Sequence, residues 1–120
     1  METVATSYRK SEAARRLGIQ LDELRRRGRD GEVYGFEVCE VTVYPRWQFT
    51  DKTNDRLLPH LAHVVASLIE DWNPASLEGF MTVPKDDLIH RGKRQSPIEW
   101  LLRGASPGRI VRILERERWR

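Results

Sequence analysis

The apolar positions of this chain change period twice. Over residues 11–32, SEAARRLGIQLDELRRRGRDGE, they follow two short helical patterns separated by Gly18. Ala13, Ala14 and Leu17 make a small apolar face on the first. Ser11 stands where an N-cap hydroxyl accepts from a free backbone N–H, and Gly18 suits the left-handed residue that ends a helix. Ile19 fills the corner. Leu21 and Leu24 are expected to face the core from the second helix, and Asp22 and Glu23 lie in its first turn, where the helix dipole favours negative charge. Residues 33–49 then read as strand. Val33, Phe36, Val38, Val41, Val43, Tyr44, Trp47 and Phe49 are β-branched or aromatic, and two short strands, about 34–39 and 41–44, form a hairpin that Pro45 ends. Glu40 and Thr42 are weak turn formers, which leaves its register open. The helical period returns over residues 57–72, where Leu58, Leu61, Val65, Leu68 and Trp72 fall on one stripe broadened by Val64 and Ile69.

Helix punctuation is dense in the remainder. Asn73-Pro74 caps and starts a short helix over 75–81 that stops before Pro84. Ser96-Pro97-Ile98-Glu99 is a capping box with proline at the first helical position; Trp100, Leu101 and Leu102 bury the helix it starts and Gly104 ends it. Ser106-Pro107 opens the last helix, with Ile110, Val111, Ile113, Leu114 and Trp119 on its apolar side. Residues 1–10 read as a loose lead-in, 50–56 (TDKTNDR) as a polar linker, and DDLIH (86–90) as an exposed turn. The expected class is therefore mainly α. It has a small winged helix-turn-helix with a short β-hairpin over residues 8–50 and a C-terminal helical bundle over 56–120.

Composition narrows the classes. At 120 residues the chain makes one domain or two very small ones, and 39% hydrophobic against 32% charged residues is a soluble globular balance. The net charge of +3 matters less than its distribution: residues 1–31 and 84–120 hold most of the lysines and arginines, while 57–83 hold none. Two basic ends around an acidic middle suit phosphate-facing or acid-facing surfaces. A single cysteine, Cys39, permits neither an internal disulfide nor a cysteine-rich metal cluster. Residues 1–10 lack the apolar core of a signal peptide and no apolar run approaches membrane-spanning length, so the expected compartment is the cytoplasm.

Candidate chemistry centres on cations. A compact helix-turn-helix with Arg25, Arg26, Arg27 and Arg29 along its second helix meets the physical requirement for docking on duplex DNA. The competing reading is an arginine run that only solvates a helix. Arg9, Lys10, Arg15, Arg16, Gln20 and Arg46 complete the expected DNA-facing set. The hairpin tip carries Glu37 or Glu40, whose carboxylates repel phosphate, so the wing is expected to serve packing. YPRWQF (44–49) is expected to clamp the N-terminal module to the C-terminal part of the chain, with base stacking as the sharper alternative. His60 and His63 sit three apart without a third ligand nearby and read as a solvent-facing or hydrogen-bonded pair rather than a zinc site. There is no glycine-rich phosphate loop and no nucleophile elbow, and Asp86 and Asp87 are adjacent and point apart. Neither catalysis nor a cofactor is expected.

Two resemblances sharpen these expectations. The run E-A-A, then L-G-I, then an arginine-rich second helix resembles the winged helix-turn-helix of excisionase and MerR-type proteins, with Gln20-Leu21 where that family often has Ser-Pro. In the last third Phe80, Pro84, Leu88, Gly92, Ser96, Pro97, Ile98, Glu99, Leu101 and Gly104 fall in an order that resembles the C-terminal domain of Xre/MbcA/ParS-type antitoxins. Lys85 replaces the usual Asn there, and the L-x-G spacing is extended to LIHRG. YPRWQF is similar to a YPxxQF segment in a subset of such proteins. The resemblance implies an antitoxin-like regulator that binds operator DNA and blocks a RES-domain-type toxin, which degrades NAD. It also implies that Lys93, Arg94, Arg109, Arg112, Arg116, Trp119 and Arg120 lie near the toxin contact.

Three functions stay open on the sequence. The first is a double-stranded DNA-binding antitoxin, expected as a homodimer because a two-fold doubles a short half-site. The second is a stand-alone regulator or architectural, excision-type factor without a toxin. The third is a protein-interaction module that no longer binds DNA.

Overall fold

The computed structural model describes residues 6–68 and 72–118. The expected class is corrected by the sheet content. The fold is 47% helical and 20% strand, and two antiparallel sheets make the architecture mixed α/β rather than a mainly α chain ending in a helical bundle.

The chain starts with a strand, β1 (Ser7–Arg9), where a loose lead-in was expected. It runs into α1 (Lys10–Leu17), so the cap position is Arg9 and Ser11 lies inside the first turn; no side chain caps this helix. Gly18 adopts φ 68° as expected, and its N–H and that of Ile19 close the helix onto the Arg15 and Ala14 carbonyls. Helix α2 (Leu21–Arg29) comes next. Leu24 is buried, but Leu21 is 43% exposed and does not face the core.

Strands β2 (Phe36–Val38) and β3 (Val41–Pro45) form the expected hairpin, with Glu37 opposite Thr42 and Val38 opposite Val41. Its two-residue turn is Cys39-Glu40, both in left-handed conformation (φ 50° and 67°), the geometry a tight hairpin needs although neither residue favours it. β1 pairs with the other edge of β3, giving the order β1-β3-β2. Gly35 fits beneath this sheet only because it lacks a side chain, since a Cβ would come within 2.9 Å of the Tyr44 ring.

A single 3-10 turn (Arg46–Gln48) holds the middle of YPRWQF. Tyr44, Trp47 and Gln48 are buried. The Gln48 amide accepts from the Tyr34 N–H (2.8 Å) and donates to the carbonyls of Tyr34 (2.6 Å) and Pro45 (3.2 Å).

The long central helix is not formed as expected. Leu57 and Leu58 lie outside any helix, Leu57 bridges Phe49, and α3 covers only Leu61–Ala66. Pro59 accounts for the late start: it disfavours helical geometry at Leu58 and has no N–H to donate. The expected stripe position Ile69 lies outside the described residues.

Helix α4 (Pro74–Thr82) is capped by Asn73 as the sequence implies. The polar stretch after it, expected as a loop, is a second hairpin: β4 (Lys85–His90) and β5 (Lys93–Gln95), turning at Arg91-Gly92. Helix α5 (Pro97–Leu102) carries the full Ser96/Glu99 capping box, and α6 (Gly108–Arg118) buries Ile110, Ile113 and Leu114. One cluster of buried side chains runs from Ala13, Ala14 and Leu24 through Trp47, Leu58 and Val64 to Leu101, Ile110 and Leu114. No helix of the described residues is long and apolar enough to cross a membrane.

Candidate nucleic-acid interface

Leu24 anchors α2 to the core, and the 100° step of a helix then decides which arginines face outward. Arg25 and Arg29, one turn apart, lie on the exposed side, and among the described residues neither guanidinium has a hydrogen bond or ion pair. Burial raises the pKa of the Tyr44 phenol, and the positive charge of Arg25 pulls part of that rise back.

Arg26 and Arg27 differ. Arg26 donates to Glu23 (2.7 and 2.9 Å), Asp30 (2.7 Å) and Glu32 (3.2 Å), and Arg27 reaches Glu23 at 3.4 Å. The hydrogen bonds from Arg26 are the chief reason the Glu23 carboxyl is held down to about 2, and the same network raises the Arg26 pKa. Two of the four clustered cations are therefore already neutralised by acids on or just after their own helix.

On α1, Arg15 and Arg16 both pair with Glu12, Arg16 at 3.3 Å. Lys10 and Arg9 are exposed at the start of α1 and the end of β1, and Gln20 is the exposed N-cap of α2 without a side-chain capping bond. Arg46 leaves the end of β3 and lies over the ring of Tyr8, 4.8 Å from its centroid. The expected DNA-facing set thus separates into the open α2 pair Arg25 and Arg29, the α2 pair held by Glu23, the α1 pair held by Glu12, the exposed Arg9, Lys10 and Gln20, and Arg46 after β3. Glu37 and Glu40 are exposed on the hairpin, Glu40 in its turn.

The expected partner-facing residues come together in part. Arg109, Arg112 and Arg116 line one concavity of about 590 Å³ with Asp87, Ile113 and Glu115. Arg116 pairs with the Asp87 carboxylate and Arg109 donates to its carbonyl oxygen (3.4 Å). Lys93 and Arg94 lie instead on β5, where Arg94 pairs with Asp86 at 3.0 Å. Trp119 and Arg120 lie outside the described residues. His60 and His63 lie at the start of α3 with ring centroids 5.9 Å apart, and no group of three metal-ligating side chains forms among the described residues.

Two residues carry no mark in the sequence. Tyr8 collects the guanidiniums of Arg16 and Arg46, and Arg56 donates to the Arg16 carbonyl at 3.2 Å. Nothing in a three-residue strand or a polar linker signals that convergence.

No protein-family model matches the chain, and no curated protein does. Among solved structures it is similar to the NMR structure of Rv2175c, with 18% sequence identity and a TM-score of 0.64. The match covers 92% of this chain and 80% of that chain. At that identity the likeness establishes a shared fold.

Proposed function

We propose that the protein is a duplex-DNA-binding transcriptional regulator of antitoxin-like type. Its helix α2 enters the major groove, and the β2-β3 wing lies alongside. The observation that carries this reading is the pair Arg25 and Arg29. They stand at helical spacing on the open face of the second helix of a helix-turn-helix, uncompensated by any carboxylate among the described residues. Arg26 and Arg27 act differently in this proposal: held by Glu23, they stiffen the helix rather than contact phosphate. A homodimer would double the short half-site one head can read. Such a regulator works in the cytoplasm, on the nucleoid.

The second activity, docking of a RES-type toxin on the C-terminal part, stands on the sequence resemblance. The concavity of Arg109, Arg112 and Arg116 is the surface it would use. The β4-β5 hairpin inside the antitoxin-like motif departs from the helical domain that resemblance implies.

The test is sequencing of the DNA captured with the protein in its native cell at moderate salt. Sharp peaks with a palindromic core are expected, one of them upstream of the protein's own gene. Absence of any enrichment overturns the reading in favour of an interaction module, and broad even coverage favours an architectural binder.

A further inference from the structure

We propose that Tyr8 organises a phosphate-gripping arginine cluster at the foot of the wing, separate from α2. The proposal rests on the DNA-binding reading and names a second contact within it. Side chains from three elements meet here, two of them consecutive and the third some thirty residues on. Tyr8 comes from β1, Arg16 from the end of α1 and Arg46 from the 3-10 turn after β3. Both guanidinium carbons lie over the Tyr8 ring, at 4.5 Å and 4.8 Å from its centroid, and Phe49 meets that ring edge-on at 5.1 Å. The ring is itself half-buried against the core, so it is a fixed platform rather than a loose side chain. Arg56 adds a third cation to the corner through its hydrogen bond to the Arg16 carbonyl. Arg46 is anchored from behind as well, because its N–H donates to the Thr6 carbonyl at 2.9 Å.

The charge balance is what points to an anion. Glu12 is the one carboxylate bonded to this trio among the described residues; it is shared between Arg15 and Arg16 and reaches Arg16 at 3.3 Å. The nearby Glu78 accepts from the Thr6 hydroxyl at 2.7 Å. The Arg46 guanidinium has no carboxylate partner among the described residues. Two cations drawn to one ring repel each other, and a ring quadrupole compensates only part of a charge. Stacking against the ring occupies the face of a guanidinium and leaves its edge to donate in the fork that matches two phosphate oxygens; Arg46 has that edge open, whereas the Arg16 Nε already donates to Glu12. It also removes rotamer freedom beforehand, so less is lost when the anion arrives. A carboxylate at this site would be met by the same donors. The backbone phosphate of duplex DNA is favoured because α1, which carries Arg16, packs on α2, and β1 and β3 lie adjacent in one sheet beside α1.

Phosphate contacts and base contacts separate in the salt dependence of binding. Each phosphate contact contributes about 0.9 to the slope of log affinity against log salt and carries no sequence information. The experiment measures the full-length protein on its captured site and on a scrambled duplex across a salt series. Wild type is compared with Arg16→Ala/Arg46→Ala, Tyr8→Leu and Tyr8→Phe. The double arginine variant is expected to flatten the slope by about 1 to 2 on both duplexes, Arg46 giving the larger share because Glu12 already holds Arg16, and to leave the preference between them unchanged. Tyr8→Leu is expected to weaken both complexes several-fold, and Tyr8→Phe, which keeps the ring, to restore binding. An unchanged slope in the double variant, with wild type binding normally, overturns the cluster and leaves the α2 reading standing. A folded Tyr8→Leu protein that binds as wild type overturns the role of the ring. If Tyr8→Leu does not fold, the exposed arginine pair decides alone. A wild-type protein with no salt-dependent duplex binding overturns both readings.

Discussion

Replacing Gln48 removes the bonds that hold the end of β3 to the chain leaving α2. The side chain is fully buried, and its amide satisfies three backbone groups: the N–H and carbonyl of Tyr34, just past α2, and the carbonyl of Pro45, at the end of the wing. Gln48→Met keeps most of the volume but offers neither a strong donor nor a strong acceptor. A buried backbone group left without a partner costs about 1–3 kcal/mol, and the Tyr34 N–H is the one with no second site for a bond. Taking the two Tyr34 groups as lost, the expected destabilisation is about 3 kcal/mol, with Gln48→Ala costing somewhat more because it also leaves a cavity. Against a total stability on the order of 5–15 kcal/mol, that is a large fraction. Urea unfolding followed by tryptophan fluorescence measures it directly, since Trp47 is the neighbouring residue and is itself buried. With an m-value of about 2 kcal/mol per molar, the midpoint should fall by about 1.5 M at unchanged m. A Gln48→Met midpoint within about 0.3 M of wild type would refute the reasoning, because it would mean the three backbone groups do not depend on this amide.

Other outcomes rest on the same geometry. Glu23→Gln releases Arg27 and loosens Arg26, so it is expected to tighten duplex binding and to steepen the salt slope by about 1 in a fluorescence-anisotropy titration. The Glu23 carboxyl is depressed from 4.5 to about 2 in the folded protein, chiefly by its hydrogen bonds from Arg26. A depressed carboxyl contributes stability above its unfolded pKa and loses that contribution as pH falls through the folded one. The stability difference between wild type and Glu23→Gln should therefore be constant above about pH 5 and shrink as the pH falls from 4.5 toward 2, read from urea midpoints at each pH. Ser96→Ala breaks one half of the capping box on α5 and should cost about 1 kcal/mol, seen as a fall of a few degrees in melting temperature without change in duplex affinity.

The helix-turn-helix was legible because its signals are local. Gly18 marks the corner, and Ala13, Ala14 and Leu24 mark the buried side. The spacing that neutralises two arginines is local as well, since Glu23 precedes Arg26 and Arg27 by three and four positions, where helical side chains meet, yet both were expected to face DNA and Glu23 only to answer the helix dipole. The misplaced elements fail for physical reasons. The apolar stripe through residues 57–72 contains Pro59, and a stripe reports a buried side without reporting a missing N–H. The β4-β5 hairpin buries Leu88 while its neighbours Asp86, Asp87 and Ile89 stay exposed, so it shows no alternation for a period-two reading to find. Its turn residues Arg91 and Gly92 were the available sign. β1 is three residues long, and only the free edge of β3 makes it a strand. The Tyr8 cluster assembles from β1, α1 and the residues after β3, so no window of sequence contains it.

The most direct test of DNA binding through α2 is the affinity of the purified protein for its captured duplex, with Arg25→Ala/Arg29→Ala measured beside wild type. Both side chains are solvent-facing and unpaired among the described residues, so the double variant should melt as wild type does. If α2 reads the duplex, the variant loses roughly tenfold or more in affinity, flattens the salt slope by up to about 2 and narrows the gap between captured and scrambled sequence. A folded double variant that binds both duplexes as tightly as wild type contradicts recognition through α2.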